Sequence, residues 1–224
     1  MKKTLAFLAT IIAIAVFAQN SVSLNSFVPS GFVIFETIKG DLNKDGVQDC
    51  VLIIKGTNKN KIIRDQYKGT LDQNRRGIVV LIKNNGTYEL TCKNLNCFSS
   101  ENEDGGVYYA PELSVEINNN KLYINYEHGR YGSKKYTFRF EGSDFQLIGF
   151  DETSQSFAGA KYQIAAFDET SINFLSKKKQ IKEVISVNAL GKETYNTVWK
   201  NISVGRLLKL SEINDFDELD MMRY

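Results

Sequence analysis

The chain has 224 residues, 42% of them hydrophobic and 12% aromatic, with 28 Lys and Arg against 26 Asp and Glu for a formal charge of +2. That apolar content excludes a disordered chain, and three Cys are too few for a disulfide scaffold. The balanced charge lacks the basic footprint of a nucleic-acid binder, and the length suits one large or two small domains.

Residues 1–18, MKKTLAFLATIIAIAVFA, are predicted to be a cleaved signal peptide. Lys2 and Lys3 form a positive start, an apolar run follows from Leu5 to Phe17, and Val16 and Ala18 are the small residues that precede a cleavage site. The run falls short of the roughly 20 residues a helical span needs, and no later segment reaches that length. The expected product is exported to the periplasm, the cell surface or the medium, with no membrane span. Losing this leader removes two Lys and no acid, which brings the formal charge to zero.

Period-two alternation between short turns then dominates, the mark of antiparallel strands with one buried face. Strands are predicted over Phe32–Lys39, Cys50–Lys55, Gly77–Lys83 and Thr87–Cys92. Between the first two lies Gly40-Asp41-Leu42-Asn43-Lys44-Asp45-Gly46-Val47-Gln48-Asp49. Oxygen-bearing side chains at Asp41, Asn43, Asp45 and Asp49, a Val47 carbonyl and a Gly46 bend have the spacing that wraps a hard cation. Oxygen ligands at about 2.3–2.6 Å suit Ca²⁺ better than Mg²⁺. Position 12 is Leu52 and the flanks are strand-like, so the loop is not an EF-hand. It resembles instead the calcium-loop blades of the FG-GAP family, found in integrin α-chain propellers, and of related VCBS repeats. The resemblance covers residues 32–92 and implies a structural Ca²⁺ in a four-stranded, propeller-blade-like unit. No second Asp-rich loop of this spacing occurs, so the resemblance does not extend to a full propeller or to adhesion.

Two connections exceed hairpin length. Gly56–Arg76 is polar and basic, with Tyr67 inside it; Phe98–Pro111 holds Glu101, Glu103, Asp104, Tyr108 and Tyr109. Long loops in compact domains tend to be functional. Three Cys allow three pairings, which the sequence does not choose between: Cys92 and Cys97, enclosing four residues, are the candidates for a small-loop disulfide, and Cys50 lies in an apolar strand where a free thiol behaves as a small hydrophobe.

Residues 113–150 read as a second four-stranded meander. Leu113, Val115 and Ile117 share a face, as do Leu122, Ile124 and Tyr126, and Tyr136, Phe138 and Phe140. Phe145 and Leu147 are expected to oppose Ile148 and Phe150. His128, the only imidazole, stands with Arg130 and Tyr131 in a hairpin tip, where it reads as a surface residue. Further strands are predicted at Lys161–Ala166, Thr170–Leu175 and Gln180–Val187, and Lys177-Lys178-Lys179 reads as a solvated turn. Asn214 followed by Asp215, Asp217 and Glu218 predicts a short C-terminal helix over residues 214–221, packed on the sheet through Trp199, Leu207 and Leu208.

The expected fold is mainly β: antiparallel meanders of propeller-blade-like units in one compact domain over residues 19–224. These comprise residues 32–92, 113–150 and a closing part at 160–224. No nucleophile, zinc or phosphate motif occurs, and no catalytic residue is assigned. The expected function is an exported, calcium-stabilised, non-enzymatic module binding a protein or glycan. Tyr67, Glu101, Glu103, Asp104, Tyr108, Tyr109, His128, Arg130 and Tyr131 form its ligand surface. The alternatives are a small secreted hydrolase using carboxylates and an inhibitor of an exported enzyme.

Overall fold

The computed structural model describes residues 23–102, 110–158 and 164–224. The leader at residues 1–18 and the expected surface residues Glu103, Asp104, Tyr108 and Tyr109 lie outside them.

The alternating segments build two open antiparallel sheets. The first has the order β1 (Phe32–Gly40), β2 (Asp49–Gly56), β5 (Arg76–Asn84), β6 (Thr87–Phe98). A separate hairpin, β3 (Ile62–Asp65) with β4 (Gly69–Asp72), fills the long connection between β2 and β5. The second sheet runs in sequence order through seven strands: β7 (Glu112–Asn118), β8 (Lys121–Glu127), β9 (Gly132–Glu141), β10 (Asp144–Ala158), β11 (Ile164–Asn173), β12 (Lys178–Val187) and β13 (Glu193–Asn201).

The sheets pack face to face. Val51, Ile53, Ile78 and Val80 from the first meet Ile124, Tyr136, Phe138, Leu147 and Phe150 from the second in one core. The other face of the first sheet is also buried. Cys50, Leu52, Ile54, Val79 and Leu81 lie under Leu24, Phe27, Val28, Phe32 and Ile34. A strand covered on both faces has no outward position for a polar side chain, which explains the unbroken apolar runs Cys50–Ile54 and Ile78–Ile82.

This architecture corrects the propeller-blade expectation. The meander at residues 113–150 is not a four-stranded unit: its edge continues through β11, β12 and β13 into one seven-stranded sheet. Neither sheet closes or curls into a blade. Several local expectations change with it. Of the predicted strands Lys161–Ala166 and Thr170–Leu175, residues 161–163 lie outside the described residues, while 164–166 and 170–173 belong to one strand, β11; β6 runs on to Phe98. A bulge between Leu147 and Gly149 inserts one residue, so Phe150 turns to the core beside Phe145 and Leu147.

The predicted helix at residues 214–221 does not form. Its backbone groups are claimed by other partners: Phe216 N–H donates to Cys97 O at 3.0 Å, and Asp217 N–H donates to Asp215 Oδ1 at 2.9 Å. Tyr136 OH donates to Phe216 O at 3.0 Å. Phe216 instead plugs the core among Phe98, Tyr136 and Phe138, with ring centroids 4.9–6.1 Å apart. Leu207 and Leu208 pack against the core as expected, whereas Trp199 stays 62% exposed.

The expected Cys92–Cys97 disulfide is also absent: all three Cys are free and buried. The ladder sets Cys92 opposite Val80 and Phe98 opposite Arg76. Cys97 therefore lies about three residue steps, roughly 10 Å, along the sheet from Cys92. That is beyond the ~7 Å limit on Cα separation for a disulfide.

Candidate functional site

The Asp-rich loop joins β1 to β2, but its oxygens are already occupied. Asp41 accepts the N–H groups of Lys44 at 2.6 Å and Gly46 at 3.1 Å. Asp45 accepts Val47 N–H at 2.7 Å and Asn43 Nδ2 at 2.8 Å, and Asn43 Oδ1 accepts Asp45 N–H at 3.1 Å. Asp49 is fully buried and accepts Leu42 N–H at 2.7 Å and Lys83 N–H at 2.9 Å. Val47 is simply exposed. Both oxygens of every carboxylate thus serve the backbone or Asn43. Among the described residues, no group of three His, Cys, Asp or Glu side chains is placed to hold a metal. The calcium expectation is corrected: Asp, Asn and Gly at this spacing fold the turn itself, because short polar side chains cap nearby backbone donors.

The expected ligand surface is divided between the sheets. Tyr67 is 89% exposed in the β3–β4 turn. Glu101 forms an ion pair with Lys55 at 2.7 Å, and Lys55 also meets Asp72 at 2.9 Å. Arg130 and Tyr131 stand in the β8–β9 turn on the other sheet. There the guanidinium lies over its neighbour's ring and donates to the Tyr131 hydroxyl at 3.0 Å.

His128 does not face solvent as the hairpin reading expected. The C-terminal segment folds over it, leaving the side chain only 15% exposed with Nε2 3.9 Å from Asp217 Oδ1. That separation is longer than a hydrogen bond. Burial pushes His128 below its ordinary value, aided by Lys134 and opposed by Glu127. Burial, with Asp215, pushes Asp217 up. Both groups are driven towards their neutral forms. The Ser99 hydroxyl stands beside the Tyr126 phenol and the Asp217 carboxyl. Ser99 Oγ, Tyr126 OH and Asp217 Oδ1 are all buried there.

Asp217 also lines a groove with Lys134, Phe150, Glu152 and Met221, and burial raises Glu152 too. Two carboxyls with raised pKa values are the raw material for acid–base work. The groove holds only about 170 Å³, however, against roughly 300–1,000 Å³ for ordinary ligand sites.

A larger concavity lies on the outer face of the seven-stranded sheet, and strand register identifies its surroundings. One row across the core side reads Val115, Ile124, Tyr136, Phe150, Ile172, Lys179 and Lys200. The next row, pointing outward, reads Ser114, Asn125, Lys135, Asp151, Ser171, Gln180 and Trp199. The faces exchange character at β12 and β13: lysines succeed apolar residues inside, and a Trp succeeds polar residues outside. Trp199, Ser171, Asn173, Ser176 and Lys178 line a groove of about 660 Å³ there.

These lining groups are fixed locally. Ser171 Oγ donates to Asp151 Oδ1 at 2.6 Å. Asn173 Oδ1 accepts the N–H groups of Leu175 and Ser176 at 3.1 and 2.9 Å, locking the β11–β12 turn. Elsewhere on this face Lys182 pairs with Glu169 at 2.8 Å and Lys135 lies over Tyr123 at 4.6 Å. The expectation that Trp199 packs under the tail hides this site in the sequence. The available signal was the only Trp of the chain standing in a polar segment without an apolar partner at period two.

No helix among the described residues is long and apolar enough to cross a membrane. No protein-family model matches the chain, and neither a curated protein nor a solved structure matches it; the FG-GAP and VCBS resemblance is not upheld.

Proposed function

We propose that this chain is an exported, non-enzymatic binding module whose contact surface is the outer face of its seven-stranded sheet, around Trp199. Export rests on the leader-like residues 1–18. One observation supports the choice of surface: the only Trp of the chain stands 62% exposed beside a groove of about 660 Å³ whose other lining residues are polar. Large aromatic side chains contribute heavily to contact energy, and leaving one in water is costly unless a partner covers it. The acidic groove at Glu152 and Asp217 is too small for a polymeric substrate, so the binding reading is preferred to the hydrolase.

The test is a pull-down from envelope extracts with the wild-type protein and Trp199→Asp. Because Trp199 is 62% exposed, the variant should fold normally while losing a specifically retained component. Identical retention by the two proteins would remove the outer face from consideration.

A further inference from the structure

The groove beside Trp199 has a chemistry of its own, and on the reading just given it also specifies a ligand class. We propose that it binds an anionic saccharide, with the Trp199 indole as the stacking platform and Lys178 as the partner of the acidic group.

The apolar lining is a single ring. Trp199 is 62% exposed at the groove, and an indole's π face, electron-rich at its centre, attracts polarised C–H groups such as those on one side of a pyranose. A protein hot spot needs an enclosed apolar pocket with well-packed walls. Here the remaining lining is Ser171, Asn173, Ser176 and Lys178. These side chains suit hydroxyl groups.

Their hydrogen-bonding capacity is divided. Ser171 spends its proton on Asp151, so its lone pairs remain to accept from a ligand hydroxyl. Asn173 spends its oxygen on the turn, which leaves Nδ2 as a donor. A sugar hydroxyl both donates and accepts, and so satisfies both arrangements.

Charge selects within the sugars. Lys178 is exposed at the groove and has no carboxylate partner among the described residues. Lys177 precedes it in a left-handed turn position (φ 55°). Asp151, the nearest acid in the rows described, is engaged by Ser171 and lies opposite Lys135. The run Lys177-Lys178-Lys179 thus divides its work. Lys179 points inward to the Tyr224 carbonyl at 3.0 Å, while Lys178 faces the groove. A carboxylated or sulfated sugar supplies the acidic group that Lys178 lacks.

The chain's only Trp is at the site, so intrinsic fluorescence reports on it directly. The purified protein is titrated with trigalacturonate, with its methyl ester, with a heparin tetrasaccharide and with triglutamate. A saturable blue shift is expected with trigalacturonate or the heparin fragment, and which of them responds distinguishes carboxylate from sulfate. The methyl ester and triglutamate should bind at least tenfold more weakly. Lys178→Glu should weaken binding at least tenfold, and Trp199→Ala should abolish the heat of binding in calorimetry, with both variants melting like the wild type. Asn173→Ala provides a second, milder variant. Silence towards both anionic sugars overturns the proposal, as does an equal response to the methyl ester or to triglutamate. Undiminished binding by Lys178→Glu overturns the site. Loss of an envelope component in Trp199→Asp together with silence towards both sugars would reject the saccharide and leave the binding surface standing.

Discussion

Asp49 and Lys83 are joined across the first sheet: Oδ1 of the fully buried carboxylate accepts the Lys83 N–H at 2.9 Å. Oδ2 holds Leu42 N–H at 2.7 Å, so one side chain fastens the β1–β2 turn to the end of β5. Asp49→Ala strands two donors, each costing about 1–3 kcal/mol when left unsatisfied in the interior. A loss of roughly 2–4 kcal/mol in chemical denaturation is expected. Asp49→Asn, which keeps one acceptor oxygen, should fall between. The wild-type melts with calcium and with chelator should superimpose, and a shift of several degrees would restore a metal to the loop.

Phe216 substitutes for a helix as the means by which the C-terminal segment is held. It contacts Phe98, Tyr136 and Phe138 and is fully buried. Phe216→Ala should cost about 3–5 kcal/mol, the range for emptying an aromatic site in a packed core. Because Phe216 N–H also bonds Cys97 O, amide exchange at this position should accelerate with the loss. An undiminished denaturation midpoint would show that the tail contributes no stability.

His128 sets a pH dependence. Its folded value lies below 6.5, so its neutral form is favoured by folding. The stability it contributes is full above 6.5 and is lost as pH falls through the depressed value. Between pH 7 and pH 5 this contribution is lost while the raised Asp217 contributes in the opposite sense, so the check is differential: the wild type should lose more melting temperature over this range than His128→Gln. Parallel curves for the two proteins would place the histidine in solvent.

The thiols provide a simple check on the core. Burial raises Cys92 and Cys97 far above the ordinary thiol range and raises Cys50 as well. A thiolate is needed for attack. The native protein should therefore not react with a disulfide reagent over minutes, and three thiols should titrate once it is unfolded in denaturant. Only two fewer thiols in the unfolded protein would return a disulfide.

The strands were legible wherever one face is buried, as at Leu122, Ile124 and Tyr126, because burial writes a period of two into the sequence. β13 was not legible: its residues are mostly exposed, so packing imposes no alternation on Glu193–Asn201. The face of Phe150 is not legible, because an inserted residue at the bulge inverts every later side chain, which no local pattern announces. The Asp loop showed the converse problem. The same oxygens at the same spacing satisfy a cation or a tight turn, and only the positions of the Gly46 and Lys83 amides decide between them. His128 reads as exposed because the residue beside it, Asp217, is remote in the chain. The exposure of Trp199 depends on where the core ends, at Lys179 and Lys200, which no local pattern marks.

The cover over the first sheet has a consequence in time. Leu24, Phe27 and Val28 pack on Cys50, Leu52 and Val79, so the first of these residues made must wait for strands that come later. Closing this lid requires β2 and β5 to be paired already. Until it closes, the back of the sheet is a bare apolar surface, and such surfaces draw chains together at micromolar concentration. Refolding yield should fall with protein concentration, and a polar substitution at Phe27 should deepen that fall by delaying the last step.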